Sequence, residues 1–432
     1  MVTPHFPPDS SAGAHRVRLL APHLSACGWE PTVVTVDPRD YETVLDPALA
    51  ALVPSSLRVV RARAWPAHIT RRFGVGDLGL RSLAGLRTEC SRLFAAERFN
   101  ALFVTIYPAY TALLGPLLKR RFGVPFILDY QDPWVGSWGL TVGGGEDGSP
   151  DLRSRLSRRL GLALEPWVVG AASAITAVST RTYEDVLARN PSASAAVRAT
   201  LPLGWEDADF ATVRSAAVSN RFFDPADGLV HLAYVGTLLP NGVETARALL
   251  EAVRLLRQRA PDLFARLRLW FIGTSNQFDP AAPPRVLPIA RELGVTDAAS
   301  ETPPRVPYLE ALSVLTQASG ILLLGSTEPH YTASKLYPAL LAARPLLAAF
   351  HRDSSVVDIL QRAAREPSVR LMTYGAEGPR GAGHVECLFR HLSALVAQPS
   401  ARATIDLSAI SDVSARSVAQ LLASVLDRVR VN

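Results

Sequence analysis

Twice along the chain, short apolar runs bounded by turns alternate with longer segments of helical period. No other feature restricts the possible folds as much. The first series has strands expected at 31–36 (PTVVTV), 57–61, 101–106 (ALFVTI), 125–129 (PFILD) and 174–178. Helical patterns fall between them at 14–27, 82–97, 109–121 and 151–172. A second series opens with the strand 230–235 (VHLAYV) and continues through strands at 267–272, 320–324 (GILLL), 345–350 and 369–372. Its helical patterns lie at 243–260, 284–293, 308–318, 334–343, 354–363, 384–396 and 413–429. Apolar runs this short suit strands buried on both faces, and helices between successive runs are the crossovers that parallel strands require. Such sheets take their ligands at the carboxyl ends of the strands. The reading is therefore α/β, with two Rossmann-like domains and an irregular stretch at 202–227 where a linker is expected.

Composition narrows the functional classes. With 432 residues, 48% of them hydrophobic and 19% charged, disordered and disulfide-stapled classes are excluded. No apolar run reaches the ~18 residues of a spanning helix, and Met1–Ser10 has neither a basic leader nor an apolar stretch, so a cytoplasmic protein is expected. Cys27, Cys90 and Cys387 are scattered, and no histidine pair has a ligand spacing, so neither a disulfide nor a metal site is expected. The net charge of +6 lies almost wholly in residues 1–205. No nucleic-acid-binding signature accompanies it, so the charge reads first as a solvated basic face, with phosphate or an anionic membrane surface as the alternative partners.

Of the 45 Lys and Arg residues only Lys119 and Lys335 are lysine. Lys119 sits in a Lys-Arg-Arg run that reads as surface. Lys335 follows small and hydroxyl residues (Thr332, Ala333, Ser334) at an expected helix start, where an ammonium is well placed for a phosphate group. Gly236 and Thr237 end the strand 230–235, where a close approach of ligand to backbone excludes a side chain. Near the amino terminus Ser11, Ala12, Gly13 and Arg16 open the first helix and form a candidate anion-facing loop, with a capped helix in a proline-rich loop as the plain alternative.

These motifs carry a family resemblance. PP-x-x-S-x-G-A-x-R near the amino terminus, the turn Gly28-Trp29, DYQDPW (129–134), YVGTL (234–238) and the stretch Lys335-Leu-Tyr-Pro-Ala-Leu-Leu-Ala-Ala-Arg-Pro345-Leu-Leu-Ala resemble, in order, the motifs of family 4-like glycosyltransferases with the GT-B fold. The resemblance implies two Rossmann-like doubly wound domains facing across a cleft. Residues 1–204 would form the acceptor side, 205–228 the linker, 229–411 the nucleotide-sugar domain, and 412–432 a helix returning to the first domain. It implies retaining transfer of a sugar from a nucleotide-sugar to a saccharide, lipid-linked or small-molecule acceptor, as in polysaccharide biosynthesis, without a metal or other cofactor. Lys335 would stabilise the departing diphosphate, with Gly236, Thr237, Ser334 and Tyr337 around the donor. The family's acidic residue three positions after the lysine is Pro338 here, and Leu238–Asn241 replace a basic pair. Glu328, His330 and Tyr331 are then expected to supply the replacement polar contacts.

On the acceptor side Asp132 is expected to orient or deprotonate a hydroxyl, with Trp134 and Trp138 stacking on a sugar ring. An Asp capping the turn before Pro133 is the simpler alternative. The helical pattern 151–172 places Leu152, Leu156, Leu160, Leu164 and Trp167 on one stripe with Arg153, Arg155, Arg158 and Arg159 around it. It reads either as a core-facing helix with a solvated basic side or as a peripheral contact with anionic membrane. The departures at Pro338 and 238–241 keep open a catalytically inactive nucleotide-sugar-binding module, and an epimerase or hydrolase on the same fold is the other enzymatic reading.

Overall fold

The computed structural model describes residues 1–135, 152–193, 196–275, 277–327, 334–399 and 402–431. The chain divides into two compact units, Met1–Gly204 with Ala415–Asn432 and Trp205–Ser414.

In the first unit the strands are β1 (Thr32–Val36), β2 (Arg58–Ala62), β3 (Leu102–Ile106), β4 (Phe126–Tyr130), β5 (Ala174–Ala177) and β6 (Val197–Thr200). All neighbouring pairs are parallel. The short stub before the first loop places Val2 in bridges to both Val34 of β1 and Val104 of β3. The stub thereby joins the two parts of the sheet in the order β2-β1-Val2-β3-β4-β5-β6. Its N–H reaches the Phe103 carbonyl at 2.7 Å, and the Thr105 N–H returns to the Val2 carbonyl at 3.1 Å.

Helices α2 (Leu78–Ala96), α3 (Leu114–Phe122) and α4 (Leu152–Ala171) cover one face of this sheet. They share a core in which Leu86, Cys90, Leu118 and Val168 meet Val104 and Leu128. On the opposite face α1 (Ala14–Leu24) packs with the last helix of the chain, Ala415–Val429, through Val17, Leu20, Val418 and Leu422. Each helix hides one apolar stripe, and the strands, apolar on both faces, are sealed between the layers.

The second unit holds β7 (Val230–Val235), β8 (Leu267–Ile272), β9 (Ala299–Thr302), β10 (Gly320–Leu324), β11 (Leu346–His351) and β12 (Val369–Tyr374). The order β12-β11-β10-β7-β8-β9 is entirely parallel and doubly wound. Its direction of winding reverses between β7 and β10, so the crossovers leave these two neighbours toward opposite faces. That arrangement opens a crevice beyond their carboxyl ends.

Two expectations need correction here. Residues 205–228 are not a loose linker: Asp207–Ser215 is helical, and the Tyr308 hydroxyl donates to the buried Asp209 carboxylate at 2.8 Å. The Ser313 hydroxyl also donates to the Val218 carbonyl at 2.6 Å, tying the segment to the second unit. The apolar stripe of α4 does not all face the core. Leu164 packs inward, but Leu156, Leu160 and Trp167 are exposed. Only the later turns of α4 lie against a neighbouring layer, and their inward residues are Val168 and Val169.

Candidate active site

In the second unit β7 is buried from Val230 to Tyr234 and delivers Tyr234, Gly236 and Thr237 to the carboxyl end of the sheet. Gly236 has φ +121°, a conformation that residues with a side chain rarely adopt. A Cβ there would lie 3.7 Å from the Lys335 Cε and 3.9 Å from its Nζ. The lysine comes from beyond β10, on the other side of the winding reversal, and stands just before the helix Leu336–Leu341.

Its ammonium donates to the Tyr234 hydroxyl and, at 2.8 Å, to the Thr237 carbonyl, and it lies 4.2 Å from the centroid of the Tyr234 ring. The Tyr234 hydroxyl donates in turn to the same carbonyl at 2.9 Å, which fixes the ring as a wall for the lysine. Among the described residues two of the three ammonium hydrogens are thus used. Water reaches part of the side chain, but protein closes around the ammonium. This desolvation pushes its pKa from the ordinary 10.5 down to about 7. No carboxylate among the described residues pairs with it.

Two neighbours were not legible in the sequence. Glu301, on β9, accepts from the Thr274 hydroxyl at 2.5 Å and from the N–H groups of Arg285, Val286 and Leu287 at 2.9 Å each. Glu301 thereby holds Arg285, whose guanidinium donates to the Leu238 carbonyl. The Leu238–Asn241 loop lacks a cation of its own sequence, yet one from 44 or more positions later stands against it. The only sequence signal was that a basic residue was missing.

Around the lysine, other expectations fare differently. Ser334 is exposed, whereas Tyr337 is buried in the interior (2%) and does not present its ring to a donor. The helix after Lys335 has six residues with Pro338 as its third, so its first turn offers only the N–H groups of Leu336 and Tyr337. The expected strong helix-start contribution is correspondingly reduced. Glu328, His330 and Tyr331 lie outside the described residues.

In the first unit the loop after the Val2 stub is organised by a residue the sequence reading passed over. Asp9, fully buried, accepts from the Thr43 hydroxyl at 2.6 Å, the Ser11 hydroxyl at 2.8 Å and the Ser11 N–H at 3.0 Å, and pairs with His5 Nδ1. Burial alone would raise the Asp9 carboxyl, but the bonds from His5, Thr43 and Ser11 outweigh it and hold the group below its ordinary value. Gly13 is required by close approach, since a Cβ there would come within 2.4 Å of the Tyr107 ring.

The candidate anion-facing loop is less open than expected. Ser11 spends its hydroxyl and its N–H on Asp9, and the N–H groups of Ala14, His15 and Arg16 close turn bonds to residues 11–13. Ala12 is exposed. Arg16 is a plain correction: it is 2% exposed and donates twice to Asp129 at 2.7 Å and once to the Pro202 carbonyl at 3.0 Å. Its guanidinium is a buried internal partner, not a phosphate contact.

Asp132 emerges after β4, where solvent reaches its side chain, while the protein crowded around it raises its carboxyl pKa through desolvation. Trp134 is 5% exposed, packs edge-on to Tyr110 at 5.8 Å and belongs to the core, so it is not a stacking platform for a sugar. Trp138 lies outside the described residues. Among the described residues no cluster of three or more His, Cys, Asp or Glu is arranged to hold a metal ion, and no helix is long and apolar enough to cross a membrane.

Residues 11–204 match the family described as the glycosyl transferase 4-like domain. No curated protein sequence matches the chain. Among solved structures it resembles HepE from Anabaena in complex with UDP and glucose (TM-score 0.60, 12% identity, 99% of this chain and 98% of that one). It also resembles the N-terminal domain of trehalose-6-phosphate phosphatase from Candida albicans (0.61, 13%, 99% and 96%). A third is the UDP-forming trehalose-phosphate synthase from Burkholderia xenovorans (0.55, 12%, 82% and 78%). Residues 11–204 of the first unit thus match the glycosyl transferase 4-like domain, and the chain has the GT-B fold of these solved structures.

Proposed function

We propose that the protein transfers a sugar, with retention of configuration, from a nucleotide-sugar to a saccharide or lipid-linked acceptor in the building of a polysaccharide, and needs no metal or other cofactor. One observation carries this reading. Lys335 is held by the Tyr234 hydroxyl and the Thr237 carbonyl beside Gly236, at the point where the winding of the second sheet reverses. A compact ammonium stabilises the charge that a nucleoside diphosphate gains as it leaves. Arg285, held by Glu301 beside Leu238, supplies a second positive charge to the same loop. In retaining transfer the departing phosphate receives the acceptor proton, and Asp132 orients the acceptor hydroxyl. UDP and its sugar conjugates are the first ligands to test, because HepE of the same fold was solved with UDP-glucose.

Titration calorimetry with UDP, GDP and ADP, followed by product analysis on the matching labelled nucleotide-sugar, tests the proposal. Tight binding of one diphosphate with no turnover on any acceptor would reject it in favour of an inactive binding module. That second reading draws on Pro338, which stands where the family has an acidic residue.

A further inference from the structure

The winding of the first sheet reverses where the Val2 stub meets β3. The chain leaves the stub for β1 and β2 on one side and returns to β3 on the other. Doubly wound sheets take ligands at the carboxyl ends of the strands that flank such a reversal. His5 follows the stub there and Tyr107 follows β3, with their ring centroids 5.5 Å apart. Tyr41 stacks on His5 at 6.3 Å, so two aromatic rings hold the imidazole in place.

Asp9 decides which imidazole nitrogen remains available. Its buried carboxylate already accepts from Ser11 and Thr43, is held below its ordinary pKa and faces His5 Nδ1. An ionised carboxylate can only accept, so Nδ1 carries a proton. His5 Nε2 has no hydrogen-bond partner among the described residues, and solvent reaches 14% of the side chain. Neither the motifs nor the donor site of the second unit accounts for this pair.

We propose that His5 Nε2 binds a hydroxyl of an uncharged saccharide, and that Asp9 is the positioning residue behind it. A hydroxyl both donates and accepts, so it satisfies Nε2 whether the imidazole is neutral or protonated. A phosphate needs the protonated ring, and Asp9 already matches that charge. Asp77 adds a second carboxyl nearby: burial raises its pKa, and the proximity of His5 and of Arg81, itself paired with Glu42, works against the rise. Two carboxyl groups around one imidazole disfavour an anion and leave a neutral hydroxyl as the fitting ligand. The saccharide's identity as the acceptor rests on the proposed transfer activity, and its binding at His5 does not. Neighbouring strands lie about 4.8 Å apart, which separates the ends of the stub and β4 by about 10 Å. His5 therefore takes a hydroxyl other than the one at Asp132.

The test is saturation-transfer NMR on the full chain with glucose, galactose, mannose and N-acetylglucosamine, each as the free sugar and as its 6-phosphate. At least one free sugar should bind the wild type, and its 6-phosphate should bind more weakly. His5→Phe keeps a ring but loses Nε2 and should lower affinity for that sugar about tenfold. His5→Gln, which returns a polar group near the same place, should recover part of the loss. Nitrogen-15 spectra, with the His5 signals identified by their absence in His5→Phe, should show the ring proton on Nδ1 in the wild type and a changed tautomer in Asp9→Asn. Circular dichroism and nucleoside diphosphate titration should be unchanged in every variant. Absence of binding by any free sugar, equal binding by His5→Phe, tighter binding of the 6-phosphate, or a wild-type ring with its proton on Nε2 alone overturns the proposal. A chain that binds the sugar through His5 but transfers none loses the transfer reading and keeps this one. Sugar transfer with an acceptor KM unchanged in His5→Phe does the reverse.

Discussion

Binding of a nucleoside diphosphate should weaken as pH rises above neutrality, and Lys335 should be the cause. Desolvation leaves its pKa at about 7 in the free protein. A phosphate group beside it favours the charged form, so the bound pKa returns toward the ordinary 10.5. Between those values the complex holds a proton that the free protein lacks, and binding must take one up. About half of the free lysines are charged at pH 7 and about 1 in 100 at pH 9, so affinity should fall about 50-fold, or about 2.3 kcal/mol, across that interval. Calorimetry at both pH values, in two buffers of different ionisation enthalpy, reads the affinity and the proton uptake together. Lys335→Ala should bind more weakly at pH 7 and lose most of the pH slope. Equal slopes for wild type and variant would falsify the assignment, as would affinity independent of pH in the wild type.

The other expectations concern the same site and the fold beneath it. Lys335→Ala should slow sugar transfer about 10²–10³-fold, and Lys335→Arg should recover only part of the loss, since a forked guanidinium does not fit a place shaped by one ring and one carbonyl; steady-state rates on matched donor decide it. Because its pKa is lowered on folding, Lys335 costs stability below about pH 7 and the cost fades as pH rises toward 10.5, so the stability gain of Lys335→Met in urea melts should shrink over that interval. Asp129→Ala leaves the Arg16 guanidinium charged and buried without its partner, and should cost about 3–5 kcal/mol in the same melts. Gly236→Ala must adopt φ +121°, while its methyl would only touch Lys335 at 3.7 Å; about 1–3 kcal/mol of backbone strain should appear in urea melts, and diphosphate binding should weaken only as far as that strain shifts the loop.

Local pattern reaches as far as each element and its period. Two series of buried apolar runs separated by helical segments determine two parallel sheets, because strands this short and apolar need cover on both faces. The order of motifs brought Gly236, Thr237 and Lys335 into one expected donor site, and the lysine's rarity in an arginine-rich chain singled it out. Strands β7, β8 and β10 begin and end where their apolar runs do.

Tertiary structure alone decided which side chains remain available. Arg16 reads as an anion ligand until β4 brings Asp129 against it from 113 positions away, and a buried guanidinium takes the carboxylate that spares it desolvation. Trp134 reads as a sugar platform until its neighbours fold over it, and Arg285 reads as nothing until Glu301 holds it beside Leu238. The stripe on α4 is apolar in sequence whether or not a layer covers it; the packing of α2, α3 and α4 leaves its early turns facing water. Periodicity states what a segment offers, whereas burial depends on distant segments that fill or leave empty the space beside it.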